Sequence, residues 1–337
     1  MPGVQRLSYF QTGREATKGT AVAATRQWYP SGTGIIDIDS MLAFQRGNRG
    51  TRTSLIGAMS KGTLATITFQ TDPEMGVAYD ELVFPLNQAG GGTAGSGSSA
   101  DKSWTWAAGG TAAITPQSYT VEAGDDTQMY EFEYAMMPDF TMGAAFDGMT
   151  TLDFSMFARQ STKASFTALT PNSAVRIPGK LWKLRHATAQ SGLSGASDQS
   201  NLLLNWSWQV NTGLVPRFYQ DGLTYFGQHA ESGDVTGIIS LTVESTATAI
   251  TQYYDKWNPG GTPTVDFLQL KATGPALGGS NYSATLQAAV IYTKVAPISE
   301  ESDGVNLYKV DAETVYDSTW GQSMGGTIVN SITALTA

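Results

Sequence analysis

Alternation of apolar and polar residues is the dominant pattern of this chain. Ile36 and Ile38 alternate with two aspartates, and the same period of two recurs in TLATITFQT from Thr63 and in YEFEYAM from Tyr130. A period of two is typical of strands that bury one face. Further segments of this kind are SWTWAAGG, TLDFSM, LLLNWSWQV, GIISLTVE, YSATLQAAVIYTKV and VNLYKVDA. The sequence therefore predicts a mainly β fold.

Two segments show helical rather than strand periodicity. In TDPEMGVAYDELVFPL, Thr71 or Asp72 can cap a helix and Pro73 suits its first position. The apolar residues of this segment recur at helical spacing, and Pro85 is expected to end the helix. In STATAITQYYDKW, the i, i+3, i+4, i+7 pattern of an amphipathic helix is followed by Ile250, Tyr253, Tyr254 and Trp257. We expect both helices to lie against a sheet.

Three polar, glycine-bearing stretches are predicted to be irregular. Residues 1–34 are expected to form an N-terminal arm. The stretch AFQRGNRGTRTSLIG places Arg46, Arg49 and Arg52 among glycines, which indicates a long exposed loop. Residues 87–100, NQAGGGTAGSGSSA, have the composition of a flexible Gly/Ser insert.

The order of the predicted elements occurs twice along the chain. Each round has a strand, a loop, a strand, a helix and then strands, with Asp147-Gly148 or Asp303-Gly304 in the last turn. Two β-sandwich or barrel domains in tandem are therefore predicted, each with one short flanking α-helix. The first, 1–185, includes the arm and the insert, and the second, 186–337, includes the C-terminal tail. Chance similarity between β-hairpins is the alternative.

Composition narrows the possible classes of protein. The 337 residues include no cysteine, which excludes disulfides and thiolate metal sites. No apolar run reaches the roughly 18 residues of a membrane helix, so no membrane association is expected. The net charge of −9 is uneven, because residues 1–61 carry eight basic and three acidic side chains, whereas residues 186–337 carry five and 13. Scattered surface charge is one interpretation, and complementary ends that meet in an assembly are the other.

No catalytic or cofactor site is predicted from the sequence. The Gly90–Gly95 stretch GGGTAG fits the dinucleotide pattern, but neither the strand before it nor the helix after it that the motif requires is predicted. His186 and His229 have no metal-binding spacing. There is no G-x-S-x-G nucleophile motif. The chain is therefore expected to be neither an enzyme nor a cofactor or metal binder.

Three stretches resemble the major tail tube proteins of long-tailed bacteriophages. YFQTGREATKGTAVAATRQWYP is similar to their opening, through the stretch from Arg14 to Ala24. SYTVEAGDDTQMYEFEYAMMPDFTMGAAFDGMTTLDFSMFARQ is similar to their hairpin, with its ending at Ala158-Arg159. VYDSTWGQSMGGTIVNSI is similar to the ending of the larger members.

The resemblance implies a structural virion protein in the phage tail, assembled in the host cytoplasm. Family members form rings of six domains that stack into a hollow tube, through which double-stranded DNA passes without specific binding. A chain with two such domains implies a homotrimeric, pseudo-hexameric ring. The implied partners are further copies, a tape measure protein, a tail terminator and a distal tail protein. The candidates for contacts between rings are Arg14, Lys18, Arg46, Arg49, Arg52 and Trp320.

The alternative function is a carbohydrate-binding or adhesin-like β-sandwich on a surface. It is suggested by two pairs of tryptophans that share strand faces, Trp104 with Trp106 and Trp206 with Trp208. Sugar binding requires these rings to be exposed, whereas core packing or assembly requires them to be covered.

Overall fold

A computed structural model describes most of the chain and shows a mainly β protein. The described residues are 8–30, 35–46, 55–91, 95–97, 101–111, 114–170, 174–199, 202–231, 234–257, 262–302 and 304–335. Strands account for 56% of the structure and helices for 9%, and the large sheets are antiparallel. The predicted mainly β class is therefore confirmed.

The first part of the chain contains eleven labelled strands and one helix. They are β1 (Tyr9–Arg14), β2 (Arg26–Trp28), β3 (Ile35–Asp39), β4 (Leu42–Arg46), β5 (Leu55–Ser60), β6 (Leu64–Phe69), α1 (Val83–Gly90), β7 (Lys102–Ala108), β8 (Tyr119–Gly124), β9 (Met129–Ala145), β10 (Thr151–Ala158) and β11 (Ser161–Ala164).

The second part contains nine labelled strands and one irregular helical segment. The strands are β12 (Trp182–Ala187), β13 (Leu203–Asn211), β14 (Leu214–Arg217), β15 (Gln228–Glu231), β16 (Thr236–Glu244), β17 (Asp266–Leu277), β18 (Ser280–Ser302), β19 (Val305–Thr314) and β20 (Met324–Asn330). The helical segment consists of α2 (Ala247–Ala249), a π-helical turn (Ile250–Tyr254) and α3 (Asp255–Trp257). Short 3₁₀ turns cover Gly179–Leu181 and Gln190–Ser194.

One order of paired strands occurs in both parts of the chain. The first set pairs as β1-β8-β9-β10-β6-β3, and the second set pairs as β12-β17-β18-β19-β16-β13. β11 pairs with β9 in the first set, as β20 does with β18 in the second. A helical segment follows β6 in one set and β16 in the other. The repeated order that the sequence predicts is thus present in the pairing.

A bulge fixes how residues of the two sets correspond. In the first set, Met136 pairs with Phe157 and Asp139 with Ser155, so three steps along β9 match two along β10. In the second set the same offset occurs where Ile291 pairs with Glu313 and Lys294 with Asp311. Bulges are specific local features of a sheet. Met136 therefore corresponds to Ile291, and Phe157 to Glu313.

The two sets belong to one sheet of 16 strands, because β13 pairs with β9. β7, from the first part of the chain, also pairs with β20 from the second. The principal core cluster contains residues from both sets, including Phe69, Phe154, Trp208 and Leu241. The predicted boundary after Arg185 falls inside β12, and the division into domains stays a prediction.

The first predicted helix was misplaced. Asp72 accepts hydrogen bonds from the Glu74 and Met75 backbone amides, at 2.8 and 3.4 Å, but Gly76 at φ +65° ends that turn. The helix begins only at Val83 and includes Pro85, the residue expected to end it. Pro85 lies in the first turn, where a missing N–H breaks no helical hydrogen bond. The second predicted helix is present as the segment from Ala247 to Trp257, but its centre, Ile250–Tyr254, is a π-helical turn. Tyr253 of the predicted apolar face is buried, whereas Ile250 and Tyr254 are exposed.

The three stretches expected to be irregular are partly regular. Two strands, β1 and β2, lie within the predicted N-terminal arm, and they bury Phe10 and Trp28 in the core. Part of the predicted arginine loop forms the hairpin β4–β5, while Arg49 and Arg52 lie outside the described residues. Asn87–Gly90 of the predicted insert belong to α1. These stretches fold because their few large apolar residues reach a core or a partner strand.

Candidate assembly interface

The joint between β13 and β9 connects the two sets edge to edge. Its register runs from Asn205 opposite Ala145 to Asn211 opposite Asp139. Beyond the last pair, the Thr212 amide donates to the Pro138 carbonyl at 2.8 Å, and its Oγ1 donates to the Met137 carbonyl at 2.8 Å. The joint therefore continues the antiparallel ladder of each set without a gap.

Each set also has a β-hairpin that extends beyond its sheet, between β3 and β6 in the first set and between β13 and β16 in the second. We call β4–β5 the first arm, and β14–β15 with residues 218–227 between them the second arm. The second arm belongs to the second set but lies on the first set. Leu214 and Phe226 from the arm are buried with Tyr134, Met136 and Phe157 from the first set. The second arm thus adds an apolar contact to the strand pairing.

Arg159 holds the tip of the second arm. Its Nε and Nη2 donate to the carbonyls of Phe226 and Gly227 at 2.9 and 2.6 Å. The guanidinium also lies over the Tyr134 ring, 4.4 Å from the centroid. A planar guanidinium combines directional hydrogen bonds with stacking on an aromatic face, which a lysine does not.

Glu15 organises the surface beneath Arg159. Its carboxylate is buried and accepts the Gly19 and Tyr134 backbone amides, each at 2.7 Å. It also accepts the hydroxyls of Ser118 and Thr120, at 2.6 and 3.2 Å. Tyr134 is the one described non-glycine residue with positive φ, at +56°. This conformation is costly for a bulky residue, so a strong acceptor on its amide helps to stabilise it.

Gly19 is required next to Arg159. It has φ +76°, and a Cβ at this position would lie 2.2 Å from the Arg159 Nη1. The Arg14–Ala24 stretch, which carries the family resemblance, therefore has a structural role: it supplies the Glu15 carboxylate and the space for Arg159.

The first arm has no such cover in the described part of the protein. Large apolar side chains are exposed on both of its strands, namely Leu42, Phe44, Leu55 and Met59. Phe44 is 56% exposed and Met59 60%. Exposed apolar clusters of this kind mark interaction sites.

Two of the open strand edges bear directly on this joint. β3 pairs only with β6, so its outer edge is open. β18 pairs with β17 only up to Val290, and beyond it pairs only with β19. These are the edges that correspond to the two sides of the β13–β9 joint. An unpaired edge presents backbone donors and acceptors to another strand.

From β3 across the β13–β9 joint to β19 and the outer part of β18, the face of the sheet opposite the principal core is polar and acidic. The alternation of the strands places there the carboxylates of Asp37, Asp39, Asp139, Asp153, Glu244, Asp311 and Glu313, and the ammonium groups of Lys294 and Lys309. Burial raises the pKa of Asp153, and the Thr71 amide opposes this shift by donating to its carboxylate at 3.0 Å. The second arm covers only the end of this face near Met136 and Phe157.

The residues predicted to make contacts between rings lie in different places. Arg14 is in β1 and donates to the Gln117 Oε1 at 3.1 Å, and Lys18 is half-buried nearby. Arg46 is exposed on the first arm. Trp320 is half-buried against Phe267, with ring centroids 6.1 Å apart. The structure therefore does not bring these candidates together, and their role stays a prediction.

Both histidines have partners inside the protein. His186 contacts the fully buried Asp266 carboxylate, which also accepts the Tyr292 hydroxyl at 3.3 Å. Burial, and then the charge of Asp266, raises the pKa of Tyr292. His229 Nδ1 lies 3.2 Å from the Tyr134 hydroxyl, and burial lowers the pKa of His229. No group of three or more residues among those described is arranged to hold a metal ion.

The two tryptophan pairs lie in the core. Trp104, Trp106, Trp206 and Trp208 are each at most 4% exposed. Their rings therefore cannot form the sugar platform on which the alternative function depends. Gly90 of the GGGTAG stretch is the last residue of α1, whereas the dinucleotide motif requires the start of a helix.

Sequence reasoning missed the contacts of Glu15, Tyr134, Arg159 and Phe226. The Ala158-Arg159 ending was noted, but its partner Phe226 lies 67 residues further along the chain. No helix in the described ranges is both long and apolar enough to span a membrane.

No protein-family model matches the sequence, and no curated protein is similar to it.

Proposed function

We propose that this chain assembles into closed rings that stack into a hollow tube, as the resemblance to major tail tube proteins implies. The observation that carries the proposal is the β13–β9 joint between two sets of strands with the same order. Because the sets correspond, the joint inside one chain is a template for a joint between chains.

The open edges would form the joint between copies. β3 corresponds to β13, and the outer part of β18 corresponds to the outer part of β9. Transferring the register of the internal joint places Asp39 of one copy opposite Lys294 of the next, and Ile38 opposite Val295. An aspartate opposite a lysine and an isoleucine opposite a valine are favourable cross-strand pairs. At these two pairs the edges are complementary in charge and in apolar character.

The proposed ring contains three copies. In the tail tube family the ring has six domains, and we assign 1–185 and 186–337 as two such domains in tandem. Three copies then supply six sets of strands joined by alternating internal and external joints. A cyclic assembly of this kind leaves neither the β3 edge nor the outer β18 edge open in the ring.

The acidic face is suited to line the channel. Carboxylates such as Asp139 and Asp153 repel DNA phosphates, whereas binding of phosphates requires Lys and Arg. Double-stranded DNA would therefore pass without being retained. The tube would belong to a virion tail, with a tape measure protein, a tail terminator and a distal tail protein as further partners. Arg14, Lys18, Arg49, Arg52 and Trp320 remain the proposed contacts between stacked rings, whereas Arg46, on the first arm, is assigned to a contact within the ring.

Charge exchange at the proposed joint tests this function. Asp39→Lys and Lys294→Asp should each reduce ring formation, and the double variant should restore it. Asp37→Lys is the matched control, since Asp37 lies on the same strand but opposite Ala296 in the transferred register. Native mass spectrometry and negative-stain microscopy measure the copy number and reveal tubes. A concentrated wild-type protein that stays monomeric, or rings of six chains, would contradict the proposal.

A further inference from the structure

The second arm shows what covers a hairpin of this kind. It lies on the first set, where Leu214 and Phe226 are buried against Met136 and Phe157. The Thr63 hydroxyl also donates to the Thr224 carbonyl at 3.2 Å, and Leu64 packs against the cluster. The contact follows directly from the β13–β9 joint, because the arm is the continuation of β13 and β16.

The first arm is the corresponding continuation of β3 and β6. Counting outward from the matched strands, Leu42 corresponds to Leu214. Leu214 is 1% exposed, whereas Leu42 is 44% exposed. The first arm therefore presents the apolar residue that the second arm buries, but lacks a surface to bury it on within the described part of its own chain.

The matching surface on the second set is a groove. The bulge register makes Glu313, Thr236 and Val315 the counterparts of Phe157, Leu64 and Arg159. All three counterparts line one open groove of about 910 Å³. On the first set, the space at the equivalent position is filled by the second arm. The groove on the second set is therefore where an equivalent arm fits.

Charge distinguishes this groove from the surface under the second arm. The first set supplies Arg159, which binds carbonyls of the second arm. The groove instead has the exposed carboxylates of Asp234 and Glu313, and the exposed arginine, Arg46, is on the first arm. Under the second arm, the cation Arg159 belongs to the surface that receives the arm. At the groove, the receiving surface carries carboxylates and the first arm carries the cation, so the two are again complementary in charge.

We infer that the first arm of one copy docks in this groove of the neighbouring copy in the same ring. The inference rests on the proposed function, because the groove is next to the β18 edge that would pair with the neighbour's β3. Leu42 and Phe44 lose their exposure there, and Arg46 approaches Glu313 and Asp234. The arm thereby reinforces each external joint, as the second arm reinforces each internal one.

Engineered cysteines test the inference directly, since the chain has none of its own. In the variant with Leu42→Cys and Glu313→Cys, oxidation of assembled protein should link neighbouring copies. Non-reducing gels should show products of two and three chains and none larger, formed at least about tenfold faster than in the control, because docking raises the effective thiol concentration. The control pairs Leu42→Cys with Lys163→Cys, which is exposed on β11.

The possible results separate the inference from the proposed function. If wild-type rings form but the two cysteine pairs react equally slowly, the inference is wrong and the proposed function stands. Products longer than three chains would place the arm between stacked rings and also overturn it. If the thiols are oxidised but the product still runs as a single chain, the first arm reaches the groove of its own chain, and the inference is wrong. If wild-type protein forms no rings, the proposed function itself fails.

Discussion

Replacing Glu15 by glutamine should strongly destabilise the protein, although the side chain keeps its size. Each carboxylate oxygen of Glu15 accepts one backbone amide, Gly19 at Oε2 and Tyr134 at Oε1. A glutamine has only one acceptor oxygen, so in either orientation its NH₂ group faces a backbone N–H. The hydroxyls of Ser118 and Thr120 can rotate to adapt, but a backbone amide cannot.

The magnitude follows from these contacts. A buried donor left unsatisfied costs about 1–3 kcal/mol, and the remaining hydrogen bonds lose the additional strength that the charge provides. Glu15→Gln should therefore lower the free energy of unfolding by about 3–5 kcal/mol. Tyr134 would also lose the acceptor that helps to hold its positive φ, so part of this cost should appear at the Arg159 contact with the second arm.

Urea denaturation, followed by tryptophan fluorescence, measures this change. For a slope of about 3 kcal/mol per molar urea, the midpoint should fall by about 1 M or more. Glu74→Gln is the control, since Glu74 is exposed and its replacement should leave the midpoint unchanged. A Glu15→Gln midpoint equal to that of the wild type would refute the assignment of Glu15 as the carboxylate that organises this surface.

Three further predictions concern the same surface and the acidic face. Phe226→Ala should cost about 3 kcal/mol or free the second arm, since Phe226 is fully buried; limited proteolysis within residues 218–227 should become faster. Gly19→Ala should destabilise the fold more than Gly222→Ala, measured by urea midpoints, because both have positive φ but only Gly19 would place a Cβ against Arg159. Because the pKa of Asp153 is raised, the folded state favours its protonated form. The stability that this group contributes is therefore lost as the pH rises above about 4. Asp153→Asn should reduce that loss, measured by urea titrations at pH 4 to 6.

The strands were predictable because their signal is local. Ala65, Ile67 and Phe69 alternate with polar residues, and all three are buried in β6 as their spacing indicates. The start and end of α1 were not predictable in the same way. Its Asn87 and Gln88 are polar yet buried, and the Gln88 Oε1 accepts the Met137 amide of a distant strand at 3.2 Å. Because α1 is buried on all sides, its sequence does not alternate between an apolar face and a solvent-exposed polar face.

The candidate interface depends on partners far apart in the chain. Arg159 and Phe226 are in contact although 67 residues separate them. The segments that form the two arms are rich in glycine and arginine or in turn residues, which locally favour loops. Their hairpin structure depends on cross-strand pairs such as Phe44 with Ala58, which periodicity alone does not reveal. The repeated order was visible in the sequence, but the joint that connects the sets was not.

The tandem arrangement changes how a ring would close. In a single chain, β13 and β9 are tethered, so their pairing benefits from a high effective concentration and is independent of protein concentration. Only the β3–β18 joints would have to form between molecules. Two of their apolar side chains are smaller, because Ile36 corresponds to Trp208 and Val295 to Phe140 of the internal joint. Charge pairs such as Asp39 with Lys294 would then contribute orientation and specificity to a joint that is weaker in apolar contact. Because this joint is weaker, the protein would stay monomeric at low concentration and form rings only at higher concentration.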